Sequence, residues 1–139
     1  MTTGAVCFAD NACNYWDYFL CHFAPDPIFV LGTRPASLRK ALREAVYINS
    51  LADLPEELSL VLLAPSNGLF VQGQNSLDTF THPEKAVYLF GADNDSMKAE
   101  IFADRKPDHS IFIPTKIDLT MHAHVAASIT FWDRMLTNG

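Results

Sequence analysis

The sequence predicts a single α/β domain over residues 1–139, with a mostly parallel sheet and helices on both faces. Three observations lead there. Short apolar runs recur along the chain, separated by stretches of helix-like periodicity. Two of these runs, 58–64 and 85–90, are apolar almost throughout, as strands buried on both faces are. The connections between runs are long enough to hold the crossovers that parallel strands require.

Taken in order, residues 5–9 (AVCFA) read as the first strand, ended by Asp10 and Asn11. Residues 14–23 lack Pro and Gly, and Asn11 or Asn14 suits a helix cap there. Pro25 and Pro27 close that helix, and residues 28–31 (IFVL) form a second strand stopped by Gly32. Pro35 then opens a helix whose apolar positions, Leu38, Leu42 and Val46, recur at i, i+4 and i+8. Residues 50–57 form a connector with room for a short helix, and 58–64 is the third strand. The polar stretch 65–83 holds a short helix around 76–80, after which 85–90 is the fourth strand, broken by Gly91. Residues 96–104 read as a short helix and 110–113 as a fifth strand, stopped by Pro114. A last helix spans about 122–136, with Ala126, Ile129, Met135 and Leu136 at amphipathic positions.

Composition excludes several classes. Hydrophobic residues make up 49% and charged residues 19%, so the chain has the apolar material for a core and is not disordered. Ten Lys+Arg against 16 Asp+Glu give a net charge of −6, which argues against sequence-blind nucleic-acid binding but leaves room for a locally basic face. No apolar run approaches the roughly 18 residues of a membrane span, and the N-terminus lacks the features of a signal peptide. Cys7, Cys13 and Cys21 are odd in number and crowded together, so reduced thiols in a cytoplasmic setting are expected rather than a disulfide framework. Each cysteine reads first as a small buried hydrophobe.

In parallel sheets of this class the ligand sits beyond the carboxyl ends of the strands. That directs attention to residues 10–14, 64–68, 91–95 and 114–120. These segments carry an ordered set of short motifs: Asn11-x-x-Asn14, then Phe90-Gly91-Ala92-Asp93, then Ile111-x-Ile113-Pro114, then Thr120-Met121-His122 with Ala126, Ala127 and Ser128. In this order they resemble the SpoU/TrmH-type branch of the SPOUT RNA methyltransferases, most closely its minimal single-domain members. The resemblance covers about residues 4–136.

The resemblance implies a C-terminal deep trefoil knot, S-adenosylmethionine as cofactor, and methyl transfer to a ribose 2′-hydroxyl of a structured RNA, most plausibly tRNA. It places Ala64 and Gly68 in the first cofactor loop, Phe90, Gly91 and Asp93 in the second, and Ile113, Pro114, Thr115, Met121 and Ala126 in the third. It puts Asn14, Asp17 and His122 near the acceptor. It also implies a homodimer through the knot region, each active site borrowing residues from the other chain.

The chain departs from the family pattern at defined positions. Asp17 stands where the family has the Arg that engages RNA phosphate, His122 where it has the Asn of Ser-Leu-Asn, and Asp93 where it has Glu. His122 offers a substitute as general base, because imidazoles exchange protons near neutrality. Arg34, Arg39 and Arg43, with Lys40, gather four of the ten basic residues within ten positions and offer the missing charge for RNA, either in the same chain or from a partner. The alternative is a module that keeps the cofactor pocket or the dimer surface without methyl transfer. Asp118, His122 and His124 have metal-ligating chemistry, but residues two apart on a helix face away from each other and no third spaced His or Cys supports them. No metal site is expected. Tyr15, Trp16, Tyr18 and Phe19 read as core or dimer-interface aromatics.

Overall fold

Seven strands make one sheet in the order β3-β2-β1-β6-β4-β7-β5, and every neighbouring pair is parallel. The computed structural model describes residues 4–9, 16–32, 44–63, 75–90, 102–116 and 121–138. The strands are β1 (Ala5–Ala9), β2 (Ile28–Leu31), β3 (Val46–Ile48), β4 (Ser59–Leu63), β5 (Asn75–Ser76), β6 (Ala86–Phe90) and β7 (His109–Phe112). Two helices, α1 (Trp16–Phe23) and α2 (Ala123–Asn138), accompany them, with 3-10 turns at Leu51–Asp53 and Leu77–Thr79.

Alternation along the central strands sorts the core into two layers. Val6, Phe8, Val30, Val61, Ala86, Tyr88, Phe90 and Ile111 face α1 and α2 and meet Trp16, Phe19, Leu20, Ala127 and Phe131. The intervening residues Ala5, Cys7, Phe29, Leu60, Leu62, Val87 and Leu89 face the other way and meet Ile48, Leu51, Leu54 and Phe102. All five residues of β6 are buried, which explains why its sequence is apolar without alternation. The first layer is aromatic: Trp16 stacks on Phe8 with centroids 4.1 Å apart, and Phe19 meets Phe131 edge-on at 4.9 Å, tying α1 to α2.

Four sequence expectations need correction. Val46 ends no helix; it begins β3, an edge strand paired to β2. Its β-branched and aromatic neighbours in 46–48 suit a pleated edge, and its i+8 spacing from Leu38 is coincidental. Strand β5, two polar residues beside β7, carries no hydrophobic signal at all. Phe102 closes a 3-10 stretch and residues 103–104 bend away, so the helix expected over 96–104 ends by Phe102, its earlier part lying outside the described residues. Cys21 is exposed, unlike the buried Cys7. Both described α-helices lie on one face, the second being covered among the described residues by Leu51, Leu54 and Phe102. The helix expected from Pro35 falls mainly outside the described residues.

Both helices run opposite to the strands. The exit of α1 reaches the start of the sheet, where Asp26 N–H bonds the Gly4 carbonyl and Val6 N–H bonds the Pro27 carbonyl. The end of α2 reaches the same edge, since Arg134 donates to the carbonyls of Pro83 and Glu84 just before β6. Both helix N-termini therefore lie toward the carboxyl ends of the strands.

Candidate functional site

The sheet register lines up the strand ends that the sequence singled out. Phe8 pairs with Phe90 across β1 and β6, Leu62 with Leu89 across β4 and β6, and Leu63 with Ile111 across β4 and β7. One level across the four central strands thus carries Phe8, Phe90, Leu63 and Ile111. The chain beyond that level forms a rim where segments far apart in sequence become neighbours. Ile113, Pro114 and Thr115 run past Phe112, the last paired residue of β7.

Local physics fixes each described candidate. Phe90 is buried and presents its ring edge to Trp16 at 5.8 Å, so its side chain builds the floor of the rim. Ile113 and Ala126 are half-buried against the same aromatic layer, Met121 is half-buried, and Pro114 and Thr115 are exposed. His122 is exposed and stands immediately before α2, its carbonyl accepting from the N–H groups of Val125 and Ala126. It is therefore the capping position of the helix rather than a residue within it. Consequently the i, i+2 argument fails: the His122 and His124 rings lie 5.9 Å apart instead of facing away. Asp17, the second residue of α1, is half-buried at the corresponding end of its helix. The partial positive charge of a helix N-terminus favours a carboxylate there. Asn14, Ala64, Gly68, Gly91, Asp93, Arg34, Arg39, Arg43 and Asp118 lie outside the described residues.

Below the rim, the Trp16 indole N–H is buried and has no hydrogen-bond partner among the described residues. Cys7 does no chemistry at this depth: burial pushes its thiol up to about 12, so it stays protonated. Among the described residues no group of three or more His, Cys, Asp or Glu is arranged to hold a metal ion, and no helix is long and apolar enough to cross a membrane.

At the opposite edge the structure assembles a cluster that the sequence did not announce. His82 Nδ1 lies 2.6 Å from the Tyr88 hydroxyl and Nε2 lies 2.7 Å from Asp133 Oδ2. Arg134 Nη1 donates to that same hydroxyl at 3.0 Å and to the Pro83 carbonyl at 2.6 Å, and Nη2 donates to Glu84 at 2.7 Å. The only sequence signals were a tyrosine inside an otherwise apolar strand and an arginine at a core-facing position of α2.

No family model and no curated protein sequence matches the chain. Solved structures do. TrmJ from Z. mobilis ZM4 superposes with a TM-score of 0.73 at 9% identity, over 94% of this chain and 67% of that one. An AdoMet-bound rRNA methyltransferase from Sinorhizobium meliloti gives 0.71 at 14% identity, over 98% and 57%. A protein whose structure concerns the 2-OH methylation of C/U34 on tRNA gives 0.69 at 19% identity, over 98% and 97%. Against a probable methylase family protein from Haemophilus influenzae and the SpoU methyltransferase AviRb, the chain spans only 66% and 57% of their lengths. At these identities the likeness establishes the fold, which is that of the SpoU/TrmH-type RNA methyltransferases, as the strand-end motifs indicated.

Proposed function

We propose that this chain is an S-adenosylmethionine-dependent RNA methyltransferase acting on a ribose 2′-hydroxyl, with tRNA the favoured substrate. The observation that carries the reading is the strand arrangement. β7 lies between β4 and β5, two strands that precede it in the chain, and α2 then packs back on the sheet. A late strand filling a gap already spanned by earlier chain is the arrangement that a trefoil knot would produce, and we read the C-terminal part as knotted. The match to the tRNA 2-OH methylation structure over nearly the whole of both chains supports the same assignment.

The rim has suitable chemistry for the cofactor. Ile113, Met121 and Ala126 give an apolar, half-buried lining, and the stretch 113–115 continues beyond the paired sheet, where backbone groups can read an adenine edge. Ala64, Gly68, Gly91 and Asp93 complete the lining in this reading, with Phe90 as its floor. When bound, the cofactor supplies an electrophilic methyl group. The protein's part is then to hold the ribose and remove its proton. His122, exposed at the start of α2, accepts the proton from the 2′-oxygen onto an imidazole nitrogen and returns it to solvent. Asn14 orients the ribose, Asp17 directs His122 or the acceptor, and Arg34, Arg39 and Arg43 contribute charge toward phosphate.

We also read the protein as a cytoplasmic homodimer. Val125, Ile129, Trp132 and Leu136 follow one another at helical spacing along α2 and are all exposed, Trp132 by 52% and Leu136 by 64%. Tyr18 adds to the exposed apolar surface from α1, the helix packed beside α2. A second copy would cover this face. The carboxylate at Asp17, in place of a phosphate-binding Arg, favours a second reading as a cofactor-binding module that transfers no methyl group.

Transfer of labelled methyl from S-adenosylmethionine to bulk tRNA, followed by nucleoside analysis for 2′-O-methylation, separates the two. His122→Ala should lower the rate about 10²–10⁴-fold while leaving cofactor affinity unchanged. Cofactor binding without any transfer would establish the second reading, and absence of both would refute both.

A further inference from the structure

The cluster at the amino-terminal edge of the sheet has a direction. Arg134 can only donate and a carboxylate can only accept, so the proton positions between them are fixed. Arg134 Nη1–H donates to the Tyr88 oxygen, the Tyr88 O–H donates to His82 Nδ1, and His82 Nε2–H donates to Asp133. This order holds only for a neutral His82 carrying its proton on Nε2. A second proton on Nδ1 would confront the Tyr88 hydroxyl with two donors, and its own hydrogen would lose its acceptor in a buried space. Tyr88 is fully buried, Arg134 is 2% exposed and the His82 side chain is wholly covered.

We propose that Arg134, Tyr88, His82 and Asp133 form a proton-operated latch. It holds the carboxyl-terminal half of α2 on the sheet while His82 is neutral and frees it when His82 is protonated. The latch is independent of the methyl-transfer reading, because it stands at the other edge of the sheet. Three elements meet in it: the loop at 82–84, strand β6 through Tyr88, and α2 through Asp133 and Arg134. The freed half of α2 would be the one carrying Trp132 and Leu136.

The charged and titratable groups facing His82 among the described residues are Asp133 and Arg134 from α2 and Tyr88 from β6. His109 from β7 stands behind Phe80, whose ring touches both imidazoles edge-on. Burial, aided by the Arg134 charge, outweighs the pull of Asp133 and lowers the His82 pKa. An unfolded histidine takes its proton near ~6.5, above the folded value, so the unfolded chain is protonated first as pH falls. The hold of the latch on α2 is therefore complete above that unfolded value and declines as pH drops from it toward the folded one.

The test combines ring-nitrogen NMR of His82 with amide exchange protection between about pH 7.5 and about pH 5. We expect a neutral Nε2–H tautomer at the higher pH. Protection of residues 130–136 should fall about tenfold as His82 titrates, while β1 and β4 keep theirs. His82→Gln presents an amide N–H to Asp133 and an amide oxygen to Tyr88 without titrating, and should hold α2 at both pH values. Three results would overturn the latch: an Nδ1–H tautomer, an equal loss in His82→Gln, or loss of protection across the whole sheet at once. If His82→Gln fails to fold, the tautomer and the coincidence of ring titration with local loss in the wild-type protein still decide.

Discussion

Gly4 is the residue on which the packing of the buried arginine depends. Its φ of +94° is a conformation that L side chains rarely adopt. A Cβ built there would stand 3.1 Å from Arg134 Nε and 3.3 Å from Tyr88 Cε2, both in the hydrogen-bonded cluster. Neither neighbour can yield freely, since Arg134 is held by two carbonyls and a hydroxyl. Gly4→Ala should therefore cost roughly 2–4 kcal/mol, combining backbone strain with overpacking. Urea unfolding of the two proteins measures it, and a difference within about 0.5 kcal/mol would mean the close approach is relaxed in solution. This residue also shows why part of the structure was illegible: nothing in the sequence links Gly4 to Arg134, 130 positions away. The site candidates fared differently. Pro114 follows the break in an apolar run, but His122 and the roles of Ile113–Thr115 were named only through the family resemblance, and the ring approach of His122 and His124 depended on where α2 starts.

At the scale of elements, the strands that carry the core were legible and the edges were not. Strands β1, β2, β4, β6 and β7 bury runs of apolar residues and announce themselves by composition. Among the described residues strand β5 pairs with β7 alone, and β3 is three residues at the edge of the sheet. Its sequence fits a helix pattern equally well until β2 is there to pair with. Helix α2 was legible through its periodicity, but its amphipathicity has two apolar sides. Ala123, Ala127, Thr130, Phe131 and Arg134 face the sheet, while Val125, Ile129, Trp132 and Leu136 are exposed. This exposed apolar stripe is the surface on which the proposed dimer rests. Trp132→Glu should convert the proposed dimer to a monomer, because a carboxylate would be buried against a copy of the same apolar face. Sedimentation velocity gives the mass. Circular dichroism should remain unchanged, since the side chain is exposed and is not among the buried core residues. A variant that stays dimeric would place the interface elsewhere.

For the whole molecule, the consequence lies in how the sheet converts distant segments into one rim. Strands β6, β4 and β7 are neighbours in space, yet each pairing joins residues tens of positions apart in the sequence. A ligand held beyond their carboxyl ends would touch all three and the start of α2, so its binding free energy would be spread over the cooperative core. Binding to the folded state alone stabilises by mass action, about 2.7 kcal/mol at a ligand concentration of ~100 times the dissociation constant. For a domain of this size that corresponds to a rise in Tm of about 10 °C. S-adenosylhomocysteine is the suitable probe, because it carries the adenosine and amino-acid groups without a transferable methyl. With it present, amide protection should rise together in β4, β6 and β7. Raised Tm with protection confined to one loop would indicate a peripheral site instead. An unchanged Tm across a wide range of S-adenosylhomocysteine concentrations would leave the fold in place while refuting the cofactor assignment.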